Sequence, residues 1–349
     1  MVVYVRKKNS NPPQATVELI DANGKVAASA DFLAPANPFI LGCVPITPPA
    51  VRVAAGAVFF ADSKGVIHRL DPSGSSSPVA TFAITQDQFL SFAVSPDGQK
   101  LVAIVFSTPP VVSRTPQFGT DPYAPSGHWT LDLESSITNG PTTTVLHKDF
   151  GHTFPSTGPT LIAGWDDNGV LATLNSYVCV QNAIPSVEYA GNPLIHLGSD
   201  GTHLDNVGGS ECQAWDELHD GTILCGGSDW SSFSVRTRGG SQLWAQAGGV
   251  MQEPKLSPGA GGVTVNGDKS QIFLRGSSTP ATVAVGSSPI YLLGWFGNEN
   301  VLALKGGQKL GLVPIAGPTT FRDLGVTVSP ACSACLPIAV SLIGVLGNP

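Results

Sequence analysis

Charged side chains are scarce in this sequence. Asp, Glu, Lys and Arg make up 12% of its 349 residues, and the formal net charge is -7. No basic stripe that would neutralise phosphates is present, since Arg6-Lys7-Lys8 is the main cationic cluster and reads as the cap of a strand end. Nucleic acid is therefore not an expected partner. Long apolar runs are missing as well. The stretch Leu336 to Leu346 (LPIAVSLIGVL) contains Pro337 and Gly344 and falls well short of the roughly 20 residues that cross a bilayer, so it reads as a buried strand. No basic segment followed by an apolar one opens the chain. MVVYVRKK enters a strand directly, so a signal peptide is either not encoded in this numbering or already removed.

Catalytic signatures are also missing. There is no Gly-x-Ser-x-Gly elbow, His-Glu-x-x-His, dinucleotide fingerprint, phosphate loop or Ser-x-Asp-x-Gly-x-x-Trp Asp box. These absences weaken an enzyme reading without removing it, because a site can be assembled from scattered loops. DDNG (Asp166 to Gly169) begins like a calcium loop, but Tyr177 stands where the bidentate Glu belongs, and the segment fits a hairpin turn. WDELHDG (Trp215 to Gly221) gathers three carboxylates and His219, and the Asp-Gly pair reads as a solvated turn. No metal or cofactor is expected.

What the chain does have is punctuation. Its 40 Gly and 29 Pro fall in short clusters between runs of Val, Ile, Leu, Phe and Thr, the pattern of many short strands, and no segment shows a convincing helical period. FAVSPDGQKLVAIVF (Phe92 to Phe106) is alternating apolar residues, a polar hinge, and alternating apolar residues again. Similar hinges recur at Gly56, Gly98, Gly169, Gly221, Gly261 and Gly297, mostly near the roughly 40 to 50 residues usual for a propeller blade, with a longer gap from Gly98 to Gly169. A second series interleaves at Gly24, Gly74, Gly140, Gly201, Gly239, Gly276 and Gly317. Two turn series imply four strands per unit, because Asn-Gly, Asp-Gly and Gly-Gly supply the positive φ of tight turns.

The first series is one member short, and the chain ends account for it. PIAVSLIGVLGNP finishes as a strand and VVYVRKK begins as one, so joining them makes the seventh hinge. The expected fold is an all-β, seven-bladed β-propeller of four-stranded antiparallel blades, the C-terminal strand closing the ring on the N-terminal strands and leaving no free edge. The blades are expected at 1–32 plus 336–349, 50–86, 89–150, 159–208, 211–248, 252–286 and 289–326, in one domain over 1–349. SPDGQKLVAIV resembles the repeat of TolB-like propellers, and VFFADSKGVIHRLDP resembles blades of the NHL and gluconolactonase-type propellers. The resemblance covers two blades well and the others by pattern. It implies the fold and carries almost nothing about activity.

Four connections are long: Leu33 to Ala50, Ser107 to Gly127, Asp149 to Thr160 and Asn175 to Pro193. In a four-stranded blade the second-to-third connection and the link to the next blade leave by the same end, so all four enlarge one rim. Long connections that a scaffold does not need usually carry function. That rim offers Arg114, Asp121, Tyr123, His128 and His152, then Tyr177, Glu188 and Tyr189, with Glu211, Trp230 and Glu253 from shorter loops. Aromatic rings beside carboxylates and an Arg suit a sugar or peptide; the plainer reading is that Tyr123 and Tyr189 pin their own Pro-rich loops. Acid-base candidates are Glu188, Asp121, Glu253, His128 and His152. His68 and His196, on third strands, read as partly exposed packed imidazoles.

The six cysteines, in a Lys-poor and Gly/Ser/Thr-rich chain, lean towards a secreted, periplasmic or surface protein with disulfides, with six cytosolic thiols left open. Cys332-Ser-Ala-Cys335 sits in a Pro-flanked loop without a helix to lower a thiol pKa, and Cys43 is its sole neighbour, so a bridge stapling the ring closure is expected there. Cys179 is expected to pair with Cys212, leaving Cys225 as a buried strand thiol. The first functional reading is a monomeric receptor for a small molecule, glycan or peptide on the elaborated rim. A glycan lyase or hydrolase using that rim is the alternative, and a purely structural assembly module the third.

Overall fold

The computed structural model describes residues 1–8, 12, 14–35, 51–85, 88–107, 130–151, 159–174, 194–209, 212–226, 231–248, 252–328 and 343–345. They form seven four-stranded antiparallel sheets. Blade 1 contains β1 (Val2–Lys8), β2 (Gln14–Ile20) and β3 (Val26–Leu33). Blade 2 is β4 (Val51–Ala54), β5 (Ala57–Ala61), β6 (Val66–Leu70) and β7 (Ser76–Thr81). Blade 3 is β8 (Gln88–Val94), β9 (Lys100–Ser107), β10 (Thr130–Ile137) and β11 (Thr142–Asp149). Blade 4 is β12 (Pro159–Asp166), β13 (Gly169–Leu174), β14 (Leu194–Leu197) and β15 (His203–Asn206). Blade 5 is β16 (Gln213–Glu217), β17 (Ile223–Gly226), β18 (Ser232–Arg236) and β19 (Gln242–Ala247). Blade 6 is β20 (Gln252–Leu256), β21 (Gly262–Asn266), β22 (Gln271–Leu274) and β23 (Ala281–Thr282). Blade 7 is β24 (Ile290–Phe296), β25 (Asn300–Lys305), β26 (Lys309–Pro314) and β27 (Arg322–Thr327). The last strand, β28 (Ile343–Val345), returns to blade 1 in the order β28-β1-β2-β3, with Val2 opposite Val345. The ring closes as the sequence predicts. Among the described residues there is no α-helix, and no helix long and apolar enough to cross a membrane.

The strand runs explain the ring. A blade between two others buries both faces, so its inner strands must be apolar at every position rather than at alternate ones. In β9, Leu101, Ala103 and Val105 pack towards blade 2, while Val102, Ile104 and Phe106 pack towards blade 4. In β5, Phe59 joins the interface with blade 3 and Phe60 the interface with blade 1. The described core is accordingly seven clusters, one in each space between neighbouring blades.

The first strand of each blade lies innermost. β28, β4, β8 and β12 approach one another in succession, as do β16, β20, β24 and β28, whereas β12 and β16 approach less closely. Arg52 on β4 crosses the inner rim: Nε donates to Phe92 O (2.7 Å), Nη1 to Ala163 O and Nη2 to Ile162 O (both 2.8 Å). One guanidinium therefore links the first strands of blades 2, 3 and 4 through carbonyls that the edge strands leave outside their ladders.

Both turn series close hairpins where the sequence places them. The positive φ is not always on the glycine, however: Asn139 (φ 60°) and Ala260 (φ 55°) carry it at two turns, and Ala55 (φ 46°) shares it with Gly56 (φ 68°) at a third.

Two cysteine expectations are corrected. Cys212 bonds to Cys225, not to Cys179, and Cys225 is no free thiol. The register explains it: Ala214 faces Cys225 across β16 and β17, and Cys212 lies two residues before Ala214 on the same sheet face, with a Cα–Cα distance of 5.0 Å. Cys43, Cys179, Cys332 and Cys335 lie outside the described residues.

Candidate functional site

The residues selected from the sequence do not fall on described parts of the chain. Arg114, Asp121, Tyr123, His128, His152, Tyr177, Glu188, Tyr189, Glu211 and Trp230 lie outside them, and Glu253 is described only as backbone in β20. What the strands do fix is the end of the ring these segments join. Residues 34–50, 108–129, 150–158 and 175–193 connect strand ends opposite the end that carries the first-to-second and third-to-fourth strand turns.

At the tight-turn end, the described residues bring together a cluster that the sequence reading set aside. Asp166 ends β12, and its Oδ1 accepts the backbone N–H groups of Asn168 (2.7 Å) and Gly169 (2.8 Å), fixing the turn. Its Oδ2 lies 2.8 Å from Nε2 of His196. His196 sits mid-strand in β14, faces Asp205 across the β14–β15 ladder, and places Nδ1 2.6 Å from Asp205 Oδ1. Arg238, in the β18–β19 turn of blade 5, donates to the second oxygen of Asp205 at 3.1 Å.

Glu217, the last residue of β16, completes the group. One donor atom from each of Asp166, His196 and Glu217 falls within 4.8 Å of the others. Both Glu217 oxygens are closed off from solvent, and among the described residues no donor group reaches them, the Asp166 carboxylate being the polar neighbour. Gly221 packs over the site at φ +81°, where a Cβ would sit 3.4 Å from Asp166 Oδ2 and 3.1 Å from the Arg238 Cβ. At the surface, Asp167 and His219 pair at 3.3 Å and the Asp167 N–H donates to His219 O at 2.8 Å, tying the two turns together.

Two expectations are corrected here. His196 is 0% exposed, not partly exposed, because Asp166 and Asp205 satisfy both ring nitrogens inside the protein. WDELHDG is a turn but not wholly solvated: the carboxyl oxygens of Glu217 are buried, and Asp216 Oδ2 accepts the N–H of Leu256 in blade 6 at 2.7 Å. His68 does match its expectation, half-buried against the Phe60 ring with Nε2 3.1 Å from Asp62.

The electrostatics follow from burial and partners. Burial pushes Glu217 well above the usual carboxyl range, and the charges of Asp166 and Asp216 add to it. Burial also opposes charge on Asp166, but hydrogen bonds from His196 and Asn168 outweigh it and the carboxyl titrates low. Burial lowers His196, and the bonds to Asp166 and Asp205 more than reverse that, leaving it raised. Closed off in this way, the cluster offers no surface for an extended substrate.

An open recess of about 630 Å³ lies along blade 5, lined by Gln213, Ser232, Ser234, Arg236, Gln242 and Gln246 and bordered by Cys225. Arg236 is held by Ser234 Oγ (2.9 Å) and the Gly208 carbonyl (3.3 Å).

The fold makes the chain a β-propeller, and comparison with known proteins goes no further than that class. No family model matches, and no curated protein matches. Among solved structures it is similar to an acylaminoacyl peptidase from Pyrococcus horikoshii (14% identity, TM-score 0.50, covering 93% of this chain and 50% of that one). It is also similar to the Dos1 propeller (12%, 0.49, 90% and 82%) and to an oligogalacturonate lyase in complex with manganese (13%, 0.46, 78% and 71%). This chain spans half the length of the peptidase. At such identities the likeness is one of fold alone.

The sequence did hold a signal for the cluster. LIHL (Leu194 to Leu197) places an imidazole in a strand whose every residue is buried, and a buried imidazole needs partners.

Proposed function

We propose that this propeller is an extracytoplasmic receptor that binds a glycan or peptide at the end of the ring bearing its long connections. The observation that carries the reading is the asymmetry between the two ends. At one end the connections between the strands of a hairpin are seven residues or fewer, whereas 34–50, 108–129 and 175–193 all join strand ends at the other. A scaffold that needs only tight turns gains nothing in stability from long connections. The Cys212–Cys225 bridge supports an oxidising compartment.

The test is a thermal-shift panel of oligogalacturonides, chito-oligosaccharides and short peptides against two proteins. The second replaces 108–129 by Asn-Gly, a two-residue turn that fits because Ser107 and Thr130 are already register partners. A ligand at a hundredfold its dissociation constant adds about 2.7 kcal/mol, a shift of several degrees. The reading predicts a shift from one chemical class, lost or reduced in the shortened protein. No shift from any class, or an equal shift in both proteins, contradicts it.

A further inference from the structure

We propose that Asp166, His196 and Glu217 form a site for one divalent transition-metal cation, of the zinc or manganese kind, that ties blade 4 to blade 5. The strongest observation is Glu217. A buried carboxyl ordinarily finds a donor, yet among the described residues neither of its oxygens has one, and the groups it faces are another carboxylate and an imidazole. A cation among the three supplies what the protein withholds.

His196 is set up as a ligand. Its Nδ1 faces Asp205, which Arg238 holds in turn, and a carboxylate on one ring nitrogen fixes the tautomer that turns the other nitrogen's lone pair towards a metal. Asp166 is fixed too, its Oδ1 occupied by two backbone N–H groups and its Oδ2 directed at His196 Nε2, 2.8 Å away. Adjacent donors on a cation with bonds of about 2.0–2.2 Å stand about 3.0–3.4 Å apart. Asp166 and His196 therefore need part by only a few tenths of an ångström.

One imidazole nitrogen and two carboxylates suit zinc or manganese better than a purely oxygen-seeking ion such as calcium. The position has a structural logic as well. β12 and β16 approach each other less closely than the other neighbouring first strands, and the three donors bridge that junction. Entry requires parting the turns Asp166–Gly169 and Leu218–Thr222, joined at the surface by the Asp167–His219 contacts.

The full chain would be stripped with EDTA, loaded with ZnCl2 or MnCl2, passed through gel filtration, and assayed for bound metal by mass spectrometry and for affinity by calorimetry. The expected result is one retained equivalent. Glu217→Gln, close to isosteric, should weaken that binding at least about 100-fold, and Asp205→Asn, acting through His196, about 10- to 100-fold. The exposed His147→Gln in blade 3 should leave it unchanged. Because other His and Cys residues can bind zinc, X-ray absorption on the wild-type protein provides a check that needs no variant. One nitrogen and two protein oxygens in the first shell are expected, without sulfur. A metal-free eluate, Glu217→Gln binding as tightly as wild type, or a sulfur-containing shell overturns the site.

Discussion

Replacing Arg52 by Met keeps most of the aliphatic stem and deletes every donor of the guanidinium. Three hydrogen bonds are lost, from Nε to Phe92 O and from Nη1 and Nη2 to Ala163 O and Ile162 O, at 2.7–2.8 Å. Bonds from a charged donor contribute about 1.5–3 kcal/mol each, so the gross loss is bounded near 5–9 kcal/mol. Arg52 is only half-buried, however, so water can reach the freed carbonyls and recover much of that. Ile162 O also keeps the hydroxyl of Ser91, at 2.9 Å. The net destabilisation expected is about 2–4 kcal/mol. The assay is equilibrium urea unfolding of wild type and Arg52→Met, followed by tryptophan fluorescence, with equal slopes required before midpoints are compared. With a slope of about 3 kcal/mol/M the midpoint falls by roughly 1 M. A change below about 0.5 kcal/mol would refute the idea that this guanidinium clamps three blades, since surface substitutions alone reach that size.

Other consequences are smaller or more local. Ala55 is an exposed alanine at φ 46° in the β4–β5 turn, so Ala55→Asn, better suited to positive φ, should raise stability by about 0.5–1 kcal/mol in the same assay; a loss would contradict the turn geometry. Cys212→Ser/Cys225→Ser opens a loop with a sequence separation of 13 and should cost about 3 kcal/mol, read as a lower melting temperature that added reductant does not lower further. Asp97 titrates below its ordinary value of 3.8 because the Ser95 hydroxyl and the Gln99 N–H bond to its carboxylate. A depressed folded-state value stabilises above the unfolded value, and that gain is lost as pH falls through the folded one. Asp97→Asn should therefore lower the urea midpoint at about pH 7, and the difference should shrink as pH falls below 3.8. A difference that persists in acid would assign the effect to packing instead.

The fold was legible in the chain because its cause is periodic. Hinge residues recur once per blade, and runs such as LVAIVF in β9 are apolar at every position, as a blade buried on both faces requires. The closure was legible because the two chain ends each lacked a partner strand, and β28 lies beside β1. The turn glycines were a good guide to where chains reverse and a poorer one to which residue takes positive φ, as Asn139 and Ala260 show.

Beyond the imidazole of His196 in LIHL, the cluster between blades 4 and 5 was not legible, for a different reason. Asp166 and Glu217 both end first strands in motifs that also make ordinary turns, and only the stacking of two blades decides that one carboxyl is bound and the other sealed off. The Cys212–Cys225 bridge depends similarly on the β16–β17 register, in which Cys225 faces Ala214, and sequence spacing does not fix a register. The rim residues chosen from the sequence, from Arg114 to Trp230, belong to segments beyond the described residues.

The most direct test of that asymmetry is amide hydrogen exchange on the protein with and without the oligosaccharide or peptide that raises its melting temperature most. The account predicts slowed exchange at the strand ends bordering the long connections, around Ser107, Thr130 and Leu194, and none at the tight turns. Protection confined to turns such as Asp166–Gly169 and Leu218–Thr222 would put binding at the wrong end of the ring and contradict the proposed function.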